Sequence, residues 1–204
     1  MSTRPLIAIS QRVDRLPARE ESRDALDQRL TGWAAALGAL AVPVPNTLGD
    51  DLAHWLNAMR PNALLLSGGN DICDRPERDR TETGLLQHAS QVGLPVLGIC
   101  RGMQMMAHHA GVGLVSLTGH AATRHALFGD LVVSGALPAD VNSFHNWGMV
   151  VCPQDYAVMA TAPDGSIEAM RHRTMRWEGW MWHPERETPF GEGELARARK
   201  LLIG

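Results

Sequence analysis

The sequence predicts an α/β fold: a mostly parallel central sheet with helices on both faces and an antiparallel extension in the C-terminal half. Two uninterrupted apolar runs, "ALLLS" at Ala63–Ser67 and "VLGI" at Val96–Ile99, are too short for helices and carry no polar face, as expected of strands buried on both sides. Segments with apolar residues at helical spacing alternate with such runs through the first half, the order that a parallel sheet with crossover helices requires. Beyond Gly113, short strand-like pieces separated by turns take over, and "APDGS" (Ala162–Ser166) is a strong turn signal between two of them.

In order along the chain, Leu6–Ser10 reads as the first core strand, started by Pro5. Ser22–Leu37 reads as a helix with Ser22 as N-cap, Leu26, Leu30, Trp33 and Leu37 on one face, and Gly38 at its end. Ala41–Pro45 is a second strand, and Leu48–Met59 a helix burying Leu52, Trp55, Leu56 and Met59. Ala63–Ser67 is broken by "SGGND". Thr83–Gln91 is a helix, Val96–Ile99 a strand and Arg101–Ala110 a helix packed through Met103, Met105 and Met106. "VVSGAL" (132–137), "VVCPQDYAVMATAPDGSIEAMRH" (150–172) and "WEGWMWHPE" (177–185) supply the later strands, and Glu192–Leu202 is a terminal helix.

Composition narrows the functions. The 204 residues suit one domain over 1–204, and 45% hydrophobic with 20% charged residues is ordinary for a globular chain. A net charge of −3 gives no reason to expect nucleic acid as the partner. No apolar run approaches the ~20 residues of a membrane span, and the start "MSTRPLIAIS" is too short in apolar residues for a signal peptide. Cys73, Cys100 and Cys152 are odd in number and lack C-x-x-C spacing, against a disulfide framework and for the cytoplasm.

Cys100 stands at the join of a strand and a helix in Gly98-Ile99-Cys100-Arg101-Gly102. This G-x-C-x-G pattern has the logic of a nucleophile elbow: a strained turn aims the side chain over the sheet edge, and the glycines let strand and helix approach. The helix N-terminus favours negative charge on the sulfur. A buried structural cysteine is the competing reading. A nucleophile needs a base and the base an orienting group, and "WHPE" supplies both: His183 and Glu185, two apart on a segment read as extended, share a side. Gly68-Gly69 after a buried strand can turn backbone N–H groups inward, so the N–H groups of Gly69 and Arg101 are candidates for an oxyanion hole.

Together "LLLSGGNDI", "PVLGICRGMQMMAHHAG", "VNSFHNWGM" and "GWMWHPERE" resemble the class I glutamine amidotransferase-like family, of flavodoxin-like architecture. Within it they are similar to stand-alone γ-glutamyl hydrolases, among them the groups acting on γ-glutamyl-γ-aminobutyrate and on γ-glutamyl-CDP-amidate, the latter in making the phosphoramidate decoration of capsules. The resemblance implies Cys100 as nucleophile, His183 as general base and acid, Glu185 as its orienting group, and no metal or organic cofactor. It further implies that Gln104, Ser143 and His145, with His120 and His125, line the glutamate pocket, and that the partner is a small γ-glutamyl substrate. A homodimer is the assembly considered.

Arg75, Arg78 and Arg80, in a charged loop after the glycines, are candidate phosphate contacts, with Arg78 and Arg80 foremost; a solvated loop with balanced charges is the alternative. The nine histidines show no H-E-x-x-H or equivalent spacing, so no metal is expected. Two further functions stay open: a glutaminase component feeding ammonia to a synthetase, and a silent binding module on the same fold.

Overall fold

The computed structural model describes residues 4–204; the opening Met1–Thr3, part of the segment weighed above as a signal peptide, lie outside the described residues. Seven strands form the central sheet in the order Tyr156–Thr161, Ile167–His172, Trp177–Trp180, Val96–Ile99, Ala63–Leu66, Leu6–Ser10 and Leu40–Val44. The five from Trp177–Trp180 onward are parallel. The first two pair antiparallel and form the expected C-terminal extension.

Strand alternation divides the core between the two faces. Ile7, Ile9, Leu65, Leu97 and Ile99 point toward the helices Gln28–Ala36 and Glu192–Leu202, packing on Trp33, Leu37, Ala198 and Leu202. Ala8, Leu64, Leu66 and Val96 point the other way, toward Leu52–Met59, Pro76–Val92 and Arg101–His109, and meet Leu56, Leu85, Leu86, Met103 and Met106. No described helix is long and apolar enough to cross a membrane.

Four local expectations change. Residues 22–27 are not helical: Arg12–Leu16 and Glu21–Ala25 pair as an antiparallel hairpin, and the helix starts at Gln28 with Asp27 as its cap, the carboxylate accepting the Arg29 N–H at 2.9 Å. Leu30 and Trp33 do line the buried face, but Asp27 is the stronger start signal because its side chain satisfies an otherwise unpaired N–H. The charged loop after Gly69 is largely helix, Pro76–Val92, with Pro76 opening it. "VVSGAL" is a short helix, Asp130–Val133, and a turn rather than a strand. The segment at His183–Glu185 is a tight 3-10 turn over Pro184–Arg186, not an extended piece.

The sheet order positions the site. Trp177–Trp180, Val96–Ile99 and Ala63–Leu66 are adjacent and parallel, with Trp180 beside Ile99 and Leu66 beside Gly98. Their C-terminal ends therefore share one edge, and the three segments that follow, at Met181–Arg186, Cys100 and Ser67–Asp71, meet there.

Candidate active site

Cys100 occupies the turn between its strand and helix with φ 51° and ψ −108°, a backbone conformation costly for any residue with a Cβ. Its N–H donates to the Trp180 carbonyl at 2.7 Å, and its carbonyl accepts the Gln104 N–H at 3.1 Å. The flanking glycines hold the turn closed. A Cβ at Gly98 would lie 2.6 Å from the Gly102 backbone and from the Met106 sulfur, and one at Gly102 would collide with the Leu66 carbonyl. The strain at Cys100 is thus imposed from both sides, and the residue remains 5% exposed at the sheet edge.

His183 is hydrogen-bonded to Cys100, and its Nδ1 lies 2.6 Å from Glu185 Oε1. Both His183 and Glu185 are buried. Burial by itself would lower the His183 pKa, but the hydrogen bonds and charges of Cys100 and Glu185 prevail and raise it to about 9. The imidazole is therefore a cation at neutral pH, the partner a thiolate requires. A raised folded-state pKa contributes stability that is complete below the ordinary value of 6.5 and is lost as pH rises through about 9. In urea titrations, the stability advantage of the wild type over His183→Gln should shrink between those two pH values; a constant difference would refute the cationic assignment.

Asn142, which no motif singled out, clamps this histidine. Its Oδ1 accepts the His183 N–H at 3.0 Å and its Nδ2 donates to the His183 carbonyl at 2.8 Å. The signal is present in "VNSFHN", where a buried amide in a short strand needs partners.

The Gly68-Gly69 turn is set by Arg78. This arginine is fully buried in the helix Pro76–Val92. It donates to the carbonyls of Ser67 at 2.7 Å, Gly68 at 3.1 Å and Gly69. In a trans peptide the C=O and the following N–H point in opposite directions, so drawing the Gly68 carbonyl toward Arg78 turns the Gly69 N–H away from it. Gly68 itself lies against the histidine: a Cβ there would be 2.7 Å from His183 Cε1. Arg101 is the first residue of its helix, so its N–H has no partner within that helix.

Arg78 is thus no phosphate contact, which corrects the sequence expectation. It pairs with Glu82 at 3.0 Å, Glu82 also pairs with Arg101 and accepts from Ser10 Oγ at 2.6 Å, and Arg101 pairs with Asp79. Burial lowers the Arg78 pKa to about 10, opposed by Glu82, and the two arginines hold the Glu82 carboxyl below its usual range against its own burial. Arg80 is exposed and lines a groove with Asn46, Thr47 and Asp50. Neither it nor Arg75, which donates to the Asp74 carbonyl at 2.7 Å, lines the cavities around His183.

The expected glutamate-pocket residues also sit elsewhere. Ser143 is fully buried, and its hydroxyl donates to the His120 carbonyl at 2.6 Å. His120, His125 and His145 form a cluster with Glu168. Gln104 follows Cys100 on the helix as expected, but its amide nitrogen donates to the Trp147 carbonyl at 2.7 Å. None of these five lines the cavity beside His183 or the neighbouring cleft.

That cleft, about 800 Å³, is lined by Arg29, Arg124, Arg186, Asp27, Glu187 and Phe144, among others. It shares Asp27 and Arg186 with the smaller cavity that His183, Glu185, Gly68 and Gly69 line. The Arg186 guanidinium lies over the half-exposed Phe144 ring, 4.5 Å from its centroid.

The family model for glutamine amidotransferase class-I matches residues 24–198. This chain belongs to the class I glutamine amidotransferase family. Among relatives, it is 30% identical over 168 residues to the γ-glutamyl-CDP-amidate hydrolase of Campylobacter jejuni, covering 79% of this chain and 80% of that one. It is 27% identical to a separate glutamine-hydrolysing subunit of the Thermococcus kodakarensis GMP synthase, covering 73% and 78%. It is 31% identical to the Geobacillus kaustophilus GMP synthase, covering 84% of this chain and 33% of that one. Of solved structures, a Thermoplasma acidophilum protein superposes with a TM-score of 0.74 at 21% identity over 100% of this chain and 94% of that one. A Thermotoga maritima glutamine amidotransferase gives 0.68 at 14% over 99% and 85%. These two establish the shared class I amidotransferase fold.

Proposed function

We propose that this protein hydrolyses a γ-glutamyl amide through a γ-glutamyl thioester on Cys100, and that its leaving group is anionic and nucleotide-sized, as in γ-glutamyl-CDP-amidate. The observation that carries the reading is the convergence of Cys100, cationic His183 and Glu185 beside a cleft bearing three arginines.

The Cys100 thiolate attacks the γ-carbonyl, and the oxyanion that forms is received by the N–H groups of Gly69 and Arg101. His183 gives its proton to the departing nitrogen as the C–N bond breaks, leaving the thioester and a neutral imidazole. That imidazole takes a proton from water, whose hydroxyl adds to the thioester. Collapse expels the sulfur, with glutamate as product and the thiolate–imidazolium pair restored. Glu185 holds His183 in the tautomer that faces the sulfur throughout. The steps need no cofactor, and the cytoplasm is the compartment proposed.

The cleft supplies leaving-group selectivity. Arg29, Arg124 and Arg186 outnumber the acids beside them, and Phe144 offers a ring face. Glutamate release should be fastest from γ-glutamyl-CDP-amidate in a panel with glutamine and γ-glutamyl-γ-aminobutyrate. Arg186→Ala should raise KM for the nucleotide substrate about tenfold, the worth of one hydrogen bond to a charged group, and leave glutamine unaffected. Equal effects on both substrates would exclude this cleft as the nucleotide site. The match to a GMP synthase component that is a chain of its own supports a second reading, an ammonia-supplying glutaminase; slow glutamine hydrolysis strongly stimulated by a synthetase would favour it.

A further inference from the structure

Behind the active-site edge, four side chains converge on one point: His120, His145 and Glu168, all buried, and the partly buried His125. Their facing atoms, one from each residue, all lie within 4.8 Å of one another. Glu168 Oε1 is 3.5 Å from His120 Nδ1, 3.5 Å from His145 Nε2 and 3.8 Å from His125 Nε2. Among the described residues none of these atoms has a hydrogen-bond partner, and neither does Glu168 Oε2. Glu168 is completely buried within the strand Ile167–His172, a carboxylate with no donor among them.

The outward nitrogens decide the tautomers. His120 Nε2 faces the Asp164 carboxylate at 2.9 Å, His145 Nδ1 faces the Trp147 carbonyl at 3.0 Å, and His125 Nδ1 faces the Ala126 carbonyl at 3.3 Å. Each of these oxygens can only accept, so each outward nitrogen carries the proton. In the neutral imidazoles the inward nitrogens then present lone pairs, and three lone pairs face a carboxylate. That arrangement repels itself unless something positive stands at the centre. Outward N–H groups held by carboxylate and carbonyl oxygens are also how metal-binding histidines are oriented.

We propose that His120, His125, His145 and Glu168 form a structural site for a tetrahedral divalent first-row ion, zinc by preference. Tetrahedral zinc with nitrogen and oxygen ligands has ligand atoms about 3.3–3.5 Å apart, so the observed spacing needs to close by only a few tenths of an ångström around most of the site. Three imidazoles and a carboxylate suit zinc over magnesium or calcium, which prefer oxygen donors. Four protein donors leave no open position, so the ion is structural and has no part in the hydrolysis. It ties together segments that surround the active site. The Ser143 hydroxyl and the His145 N–H both bond the His120 carbonyl, and the Glu168 carbonyl accepts the N–H of Met181, two residues before His183. Sequence spacing hid the site because its ligands come from three separated segments.

The site is tested independently of the reaction. Tag-free protein, dialysed against metal-free buffer, is analysed for metal content, and its Tm is measured before and after chelation and zinc addition. About one zinc per chain is expected, with a Tm loss of at least about 5 °C on removal that zinc reverses and magnesium does not. Glu168→Gln and, separately, His125→Ala should lose the zinc; Cys73→Ser and Cys100→Ser should keep it, which excludes thiols as the source. Cobalt(II) in the site should give the intense visible bands of four-coordinate geometry. Folded wild type that retains no zinc, shows no zinc-dependent Tm and gives only weak six-coordinate cobalt spectra would overturn the proposal in favour of protonated histidines around Glu168.

Discussion

Cys100→Ala abolishes glutamate release, by about ten-thousand-fold or more, from every γ-glutamyl amide that the wild type cleaves. Without the sulfur no thioester forms, and what remains is the modest help of the oxyanion donors and of binding. His183→Ala costs nearly as much, and the double variant little more than either, because the two act as one unit. The fold survives the loss of the thiol, since the glycines at 98 and 102 rather than the sulfur shape the turn. Cys100→Gly should be the more stable of the two substitutions by about 1 kcal/mol, because glycine accepts the φ of 51° without strain. Glutamate assays and thermal denaturation of the two variants check both halves. Retention of more than a few per cent of activity by Cys100→Ala would remove Cys100 as the nucleophile and return the silent-module reading.

Arg78→Ala should be the most damaging substitution away from the reacting groups. It leaves three carbonyls of the Ser67–Gly69 turn without their donor and upsets a buried cluster in which Arg78 and Arg101 balance Glu82 and Asp79. Breaking such a buried pair costs about 3–5 kcal/mol, or roughly 10 °C in Tm for a chain of this size. The surviving folded protein should lose kcat far more than KM, by about a hundredfold, because the Gly68–Gly69 peptide can then turn its N–H out of the site. Arg78→Lys should recover part of the stability, as an ammonium keeps the charge but lacks the planar fork that reaches several carbonyls. Unchanged Tm with an effect confined to KM for a nucleotide substrate would reinstate Arg78 as a phosphate contact.

The legible parts of the site are those set by local chemistry. A cysteine between glycines after a buried strand, and a histidine two residues before a glutamate, carry their roles in short spacing. Arg78 misleads because a basic residue in an acidic and basic run looks the same whether it faces water or the interior. Only the packing of Pro76–Val92 over the strand ends shows that Glu82 and the turn carbonyls are its partners. His120, His125 and His145 mislead because each lies near motifs that point to the γ-glutamyl pocket, while Glu168, the residue that joins them, looks like one charge in a mostly apolar strand.

By itself the sequence determined the strands of the parallel sheet, its helical faces, the elbow at Cys100 and the identity of its histidine partner. Each depends on periodicity, turn chemistry or residue types a few positions apart. The tertiary structure decided which charged and polar groups meet: Asn142 on His183, Arg78 on the glycine turn, and three histidines on Glu168. The physical reason is range. Hydrophobic alternation acts over a few residues and leaves its mark in order along the chain. A buried charge must find its counter-charge or its donor anywhere in the folded volume, and that search ends only when the sheet order has brought distant segments together.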